Sequence, residues 1–379
     1  MELNEIRNKI DETDAALVEL FRTRMQLSGE IVAYKMAHDM PILQPGRERE
    51  VLLHVSKLAG PEFSNYARVL YATLMDLSRA YQNQFTMRDS VFKNEILGAA
   101  EKTPKLFPRE GVVACPGVEG SFSQQACDKL FSLANIMYFR NFEGVFQAVD
   151  QGLCKYGVLP IENSSNGSVN GVYTLMRNYK FYIVGGVRLH IHHNLLARPG
   201  VKFEDIREII SHEQAIGQCS EFLAAHPEIK VTAYDNTALA AQAVANSDRR
   251  DLAAICSHEC GELYGLSLVR EHVQNNENNY TRFICISRDL EIYPGASQIS
   301  LMCATPHKPG SLYRLISKFA ALGVNLTKLE SKPIPGRDFE FMFYLDLEAS
   351  VWNEDVMNLL AELSRQDEGF VFLGCYNEI

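Results

Sequence analysis

Two kinds of position in this sequence could do chemistry. In the first, cations sit inside an apolar helical stripe. At about 100° per residue, Leu3, Ile6, Ile10, Leu17, Leu20, Phe21, Leu27 and Ile31 share one face of a helix roughly 50 Å long. Arg24 and Lys35 fall in the middle of that stripe, about 16 Å apart along it, and Arg7 lies on its flank. Unpaired buried cations are costly, so the pair calls for anionic partners, either carboxylates of the protein or an anionic ligand. Arg47 and Glu48 open the next helix, and Ser78 and Gln82 stand one turn apart near the end of the third.

The second kind is a set of polar strings that follow apolar, strand-like runs. Gly120-Ser121-Phe122-Ser123 follows the run from Val112, and Pro160-Ile161-Glu162-Asn163-Ser164 follows Val158-Leu159. Ser211-His212-Glu213-Gln214-Ala215 and Asp235-Asn236-Thr237 come next, and Thr281-Arg282-Phe283 leads into a strand. Side chains at strand ends and helix starts are where α/β folds present ligand groups, and free N–H groups at a helix start suit a carboxylate. The glycine turn lacks the lysine of a phosphate-binding loop, and Ser211-His212 lacks a nucleophile elbow. His190-Ile191-His192-His193 and Cys256-Ser257-His258-Glu259-Cys260 lack metal-ligand geometry and read as strand-edge histidines and packed cysteines, so no metal and no cofactor are expected.

The elements that position these residues fall into three grammars. The chain has 379 residues, enough for two to four domains, and its 46% hydrophobic and 22% charged composition is that of a folded globular protein. Residues 1–88 read as helical, 89–109 as a polar linker and 110–290 as alternating strands and helices. Beyond Tyr293-Pro294-Gly295, residues 296–379 read as a βαββαβ, ferredoxin-like module with strands at Ile299–Ala304, Val324–Leu329, Phe339–Leu347 and Phe370–Cys375. The net charge of −10 argues against nucleic acid or an anionic membrane as partner. The charged N-terminus lacks signal or transit character and no apolar run is long enough to span a membrane; with nine scattered cysteines, this points to a reducing cytoplasm.

On Ile6-Arg7, Arg24, Tyr34-Lys35, Arg47-Glu48 and the Ser78/Gln82 pair, the first region resembles the all-helical chorismate mutase family. The resemblance implies an intertwined dimer in which Arg24, Arg47 and a partner subunit's Arg7 meet the two substrate carboxylates. Lys35 and Gln82 would then face the ether oxygen and Glu48 the ring hydroxyl, with Ser78 in binding. Gln44 stands where some members carry Asp, so no catalytic role is assigned to it.

The ordered polar strings resemble prephenate dehydratase over 110–290. That implies two α/β subdomains, similar to a periplasmic binding protein, with the active site in the cleft. Thr281 would be the hydroxyl donor, with Glu162 and Asn163 on the substrate hydroxyl side. Ser121, Ser164, Thr237 and Arg282 would bind substrate, with Ser211, His212, Gln214 and Phe283 in the same motifs.

The tail resembles an ACT domain on Pro309-Gly310-Ser311-Leu312 and Leu329-Glu330-Ser331-Lys332, which implies a phenylalanine effector at these loops, Glu330 and Ser331 included. Ser311 replaces the more common Ala and Lys332 the more common Arg. Together the resemblances imply a multidomain enzyme, isomerase and lyase, taking chorismate to prephenate and prephenate to phenylpyruvate under phenylalanine feedback, as a homodimer or higher even oligomer. The alternative from another class is a ligand-sensing protein on the same domains without catalysis.

Overall fold

The structure is a computed structural model and describes residues 2–38, 40–86, 90–334, 336, 340–366 and 369–379. The expected boundary at residue 88 and the expected strand start at Phe339 lie outside the described residues. Two compact units account for the chain: Met1–Gly98 with Leu301–Val371, and Ala99–Ser300 with Phe372–Ile379.

The N-terminal region is helical. α1 (Leu3–Ala37) starts where the Glu5 carboxylate accepts from the Glu2 N–H at 3.1 Å. α2 (Pro45–Thr86) is two helices in one, because Gly60 (φ 72°, ψ 172°) leaves helical geometry and Pro61 offers no N–H to bridge the break. Among the described residues of 1–86, three helical segments are therefore present, as the sequence indicates. α1 buries Ser28, Val32 and Lys35, yet Leu17 and Leu20 of its stripe stay 55% and 67% exposed. The stretch read as a polar linker is helical over α3 (Val91–Lys102), with Lys93 and Ile96 buried. Its apolar positions Phe92 and Ile96 are one turn apart, a period that the neighbouring Lys and Asn obscure.

The second unit contains two sheets. The first is built from β1 (Glu110–Pro116), α4 (Phe122–Leu130), β2 (Leu133–Phe139), α5 (Phe142–Asp150), β3 (Tyr156–Asn163), β4 (Gly167–Ser168), α6 (Asn170–Met176) and β5 (Tyr182–His190). The chain then passes to β6 (Asn194–Ala197), β7 (Glu208–His212), α7 (Glu213–Gln218), α8 (Ser220–Ala224), β8 (Lys230–Tyr234), α9 (Thr237–Asn246), β9 (Leu252–Cys256), α10 (Glu259–Tyr264) and β10 (Ser267–Arg270). It returns to the first sheet as β11 (Tyr280–Ser287). The sheet orders are β2-β1-β3-β11-β5, with β4 on β3, and β10-β6-β9-β7-β8. Only 191–193 and 271–279 cross between the sheets, which divides this unit into two α/β halves, as the resemblance noted above implies. Each half closes on its own core, Phe131, Tyr156 and Phe283 in one and Leu195, Ile209 and Ile255 in the other. Gly157 lets α5 lie against β3: a Cβ there would meet Val145 Cγ1 at 2.8 Å and Val149 Cγ2 at 3.0 Å.

The last module runs β12 (Gln298–Thr305), α11 (Ser311–Ala321), β13 (Asn325–Pro333), β14 (Phe341–Glu348), α12 (Glu354–Gln366) and β15 (Val371–Tyr376). Its order is the βαββαβ read from the sequence, and its sheet is ordered β13-β14-β12-β15.

Candidate active sites

On α1 and α2 the inward cations find partners. Arg24 donates through Nη1 to Ser78 Oγ at 2.5 Å and to the Leu74 carbonyl at 3.2 Å. Lys35 donates through Nζ to Gln82 Oε1 at 3.3 Å and to the Ile42 carbonyl at 2.6 Å. Burial, and then the nearby charge of Arg79, hold the Lys35 ammonium below the ordinary lysine range, and burial lowers Arg24 as well. Glu48 is ion-paired with Arg79, whose second guanidinium nitrogen bonds Asp76. Arg24, Lys35, Ser78 and Gln82 thus face the α1/α2 packing seam, while Glu48 is held by Arg79 within α2.

Arg47 behaves differently, exposed and paired with Glu50 at 3.0 Å. Arg7 is exposed and about 25 Å along α1 from Arg24, too far for a shared ligand within one chain. Sequence reading missed Arg79 and Asp76. The signal was available: one helical turn joins Asp76 to Arg79, and an Arg beside a buried Ser on an inward face needs acids.

The second unit holds a cavity of about 410 Å³ lined by Ser121, Asn163, His212, Gln214, Thr237, Thr281 and Phe283, all singled out in the sequence. Local caps aim helix starts at it. Gly117 and Gly120 (φ 102° and 86°) make the turn before α4, and Ser121 Oγ accepts from the Gln124 N–H at 3.3 Å. Asn236 accepts from the Leu239 N–H at 2.7 Å and so starts α9 at Thr237. Arg140 adds a cation to the lining. Helix N-termini and one arginine suit a carboxylate-bearing ligand.

At the cavity wall, Asn163 Nδ2 donates to Thr281 Oγ1 and to Asn279 Oδ1, both at 2.9 Å. Asn163 Oδ1 accepts the backbone N–H groups of Ser165 and Asn166, each at 3.0 Å, and Gln218 Nε2 at 3.2 Å. Gln218, Asn279 and His193 belong to this constellation and were not picked out as site residues. His193 is 2% exposed, so it belongs to the cavity wall and not to a strand edge. Gln218, one turn after Gln214 on α7, was the readable signal.

Four sequence candidates lie outside the cavity lining. Glu162 and Arg282 are register partners across β3 and β11, whereas the neighbouring pairs Asn163–Thr281 and Pro160–Phe283 face the cavity. A register shift between Arg282 and Phe283, with Ile161 as the extra residue, puts Pro160 and Asn163, three apart on β3, on the same side as Thr281 and Phe283. Arg282 instead bonds Glu378 and donates to the Tyr376 hydroxyl at 2.9 Å. Ser211, fully buried, donates to the Ile255 carbonyl at 2.6 Å, and Ser164 Oγ ties the turn to Asn278 and Tyr280.

In the last module, Gly310 (φ 79°) sets the start of α11, Ser311 Oγ accepts from Arg314 at 3.2 Å, and Lys332 pairs with Glu330 at 3.0 Å on β13. Pro309 and Leu312 flank that start, and Ser331 follows on β13.

Two polar constellations of different chemistry lie on one chain, one in a helical seam and one in an α/β cavity. Comparison with known proteins gives the same division: residues 6–83 match the family model for chorismate mutase type II, and 113–291 that for prephenate dehydratase. The bifunctional chorismate mutase/prephenate dehydratase of Escherichia coli (strain K12) is 30% identical over 380 residues, 98% of this chain and 95% of that protein. The chloroplastic arogenate dehydratase/prephenate dehydratase 2 of Arabidopsis thaliana is 36% identical over 276 residues, 70% of this chain and 72% of that one. Among solved structures, prephenate dehydratase from Arthrobacter aurescens in complex with L-Phe superposes with a TM-score of 0.65 at 28% identity, over 70% of this chain and 89% of that one. The chain belongs to the family of bifunctional chorismate mutase/prephenate dehydratases. It is an enzyme of aromatic amino acid biosynthesis, with a chorismate mutase domain followed by a prephenate dehydratase domain. Among the described residues no helix is long and apolar enough to cross a membrane.

Proposed function

We propose that Thr281 is the proton donor of the dehydratase step and that Arg24, Lys35 and Gln82 form the mutase site. The observation that carries the first assignment is the 2.9 Å bond from Asn163 Nδ2 to Thr281 Oγ1 at the cavity wall. With its oxygen engaged as an acceptor, Thr281 is free to turn its O–H toward the substrate. The hydroxyl leaving C4 of prephenate takes that proton and departs as water. The C–C bond to the ring carboxylate breaks, its electron pair enters the ring, and carbon dioxide leaves. Thr281 regains its proton from solvent. The starts of α4 and α9, with Arg140, hold the carboxylates.

The mutase step moves no proton. A Claisen rearrangement is accelerated by holding the reactive conformer and stabilising charge on the ether oxygen, which Lys35 and Gln82 can do from within the seam. Arg24 takes a carboxylate. Arg7 serves this site from a second copy whose α1 covers the exposed stripe around Leu17 and Leu20, which makes the working unit an intertwined dimer. The C-terminal module reads as an ACT domain binding phenylalanine at Pro309–Leu312 and Glu330–Ser331. The βαββαβ order and the helix start at Gly310 support this reading, and the L-Phe complex of the Arthrobacter relative is consistent with it. The nine cysteines, all free and buried, suit a cytoplasmic location.

The test is to follow chorismate loss and phenylpyruvate formation by one purified preparation, with and without phenylalanine. Turnover in both steps, slowed by phenylalanine, is expected. Turnover indifferent to phenylalanine overturns the regulatory part, and no turnover favours the non-catalytic sensor.

A further inference from the structure

The orientation of the amide network around Thr281 can be traced from its backbone anchors outward. The N–H groups of Ser165 and Asn166 can only donate, so the Asn163 atom they meet is Oδ1. Gln218 therefore presents Nε2 to Asn163 at 3.2 Å, and its Oε1 faces the other way. That Oε1 accepts from Asn279 Nδ2 at 3.1 Å and meets His193 Nε2 at 2.8 Å. An amide oxygen has nothing to donate, so the proton of this imidazole is on Nε2.

The rest of the ring's environment agrees. His193 Nδ1 is buried with no hydrogen-bond partner among the described residues, so a proton there would have no acceptor. Phe122 lies edge-to-face with the ring at 5.7 Å, and the His193 backbone N–H is held by Gln274 Oε1 at 3.0 Å. Desolvation lowers the pKa of His193, so the ring stays neutral near pH 7.

We propose that His193 is a positioning residue of the dehydratase: its Nε2–H locks Gln218, Gln218 locks Asn163, and Asn163 leaves Thr281 with its proton turned toward substrate. The proposal rests on the reading of Thr281 as proton donor. His193 acts through others and does not touch the reacting atoms. Without its N–H, Gln218 Oε1 loses one of its two donors and the amide can rotate; its oxygen then meets Asn163 Oδ1, which the backbone N–H groups keep in place, and the repulsion displaces the Asn163 side chain from Thr281.

The test compares His193→Leu and His193→Gln with the parent enzyme in the full-length chain, measuring dehydratase kcat and KM and, in the same preparations, mutase activity. A misplaced catalytic group costs on the order of 10²-fold, so His193→Leu should lose about 10- to 100-fold in kcat with KM changed less than about 3-fold. The amide of His193→Gln places an N–H near the Nε2 position and should recover kcat to within about 5-fold of the parent. Leucine and glutamine variants that are equally impaired, or a leucine variant within about 2-fold of the parent, overturn the proposal. Where a variant also loses mutase activity and so has not folded, the ¹H–¹⁵N spectrum of the parent's histidine rings decides. An Nε2–H tautomer for His193 upholds the proposal, and an Nδ1–H tautomer overturns it. Thr281→Ala, run alongside, separates the two claims: if it keeps dehydratase activity the proton-donor reading fails, whatever His193 does.

Discussion

Asn163 holds Thr281 from one side only: its Nδ2 reaches Thr281 Oγ1 at 2.9 Å while its Oδ1 is pinned by two backbone N–H groups at 3.0 Å each. The backbone fixes which end of the amide meets the threonine. Asn163→Asp places an acceptor opposite Thr281 and draws its proton inward, away from substrate. A fall in dehydratase kcat of about 10²- to 10⁴-fold is expected, larger than for Asn163→Ala, which removes the group without capturing the proton. Steady-state kinetics with prephenate on both variants checks the order, and an alanine variant worse than the aspartate variant contradicts it.

Arg79 carries two carboxylates, Glu48 and Asp76, and its side chain is only 16% exposed. Arg79→Met leaves the buried Asp76 and the partly buried Glu48 without their cation. A stability loss of about 2 kcal/mol is expected, together with a fall in mutase kcat, because Glu48 loses its fixed position. Adding Asp76→Asn should recover part of the stability but not the mutase rate. Urea unfolding followed on the N-terminal region and a chorismate assay measure the two effects.

Lys35 serves the mutase only when charged, and its folded-state pKa lies below that of an ordinary lysine. The sign is definite. Mutase activity is full below that lowered pKa and falls as pH rises through it, at a pH lower than a solvent-exposed lysine would give. Folding disfavours the charged form of this group, so the penalty it imposes on stability is present at neutral pH and relieved as pH rises through the same window. Lys35→Arg, charged throughout, should lose the alkaline limb of the kcat profile even where its absolute rate is reduced. An unchanged limb would assign it to another group.

Gly157 sits where α5 touches β3, and an added methyl would meet Val145 at 2.8 Å, Val149 at 3.0 Å and Ile286 at 3.1 Å. Gly157→Ala should destabilise the dehydratase domain by about 1–3 kcal/mol through overpacking. Heat inactivation of dehydratase activity should come at lower temperature while mutase activity is spared. A variant as heat-resistant as the parent would mean that α5 can shift outward freely.

Much of this organisation was legible because it is local. Polar strings at strand ends and helix starts mark a cavity without any knowledge of pairing, and Ser121, Asn163, Thr237 and Thr281 were found in that way. What was not legible depends on pairing. Strand alternation alone puts Thr281 and Phe283 on one face of β11 and Arg282, with Glu378, on the other, but the extra residue Ile161 decides that Pro160 and Asn163, three apart on β3, share the cavity face, and no local pattern announces that. The partners of Asn163 come from strand crossovers and a helix far along the chain, so only the fold brings Gln218, Asn279 and His193 to it. Arg79 could have been read from Asp76 one turn before it, but its second acid, Glu48, lies on a different helical segment and only the fold brings it there.

The central claim is that one chain carries two independent active sites, with Thr281 essential to the second alone. Thr281→Ala, assayed with chorismate and with prephenate in the same preparation, tests it most directly. The account predicts mutase turnover within about 2-fold of the parent and dehydratase turnover reduced by at least about 10²-fold. Phenylpyruvate formed at the parental rate would contradict it.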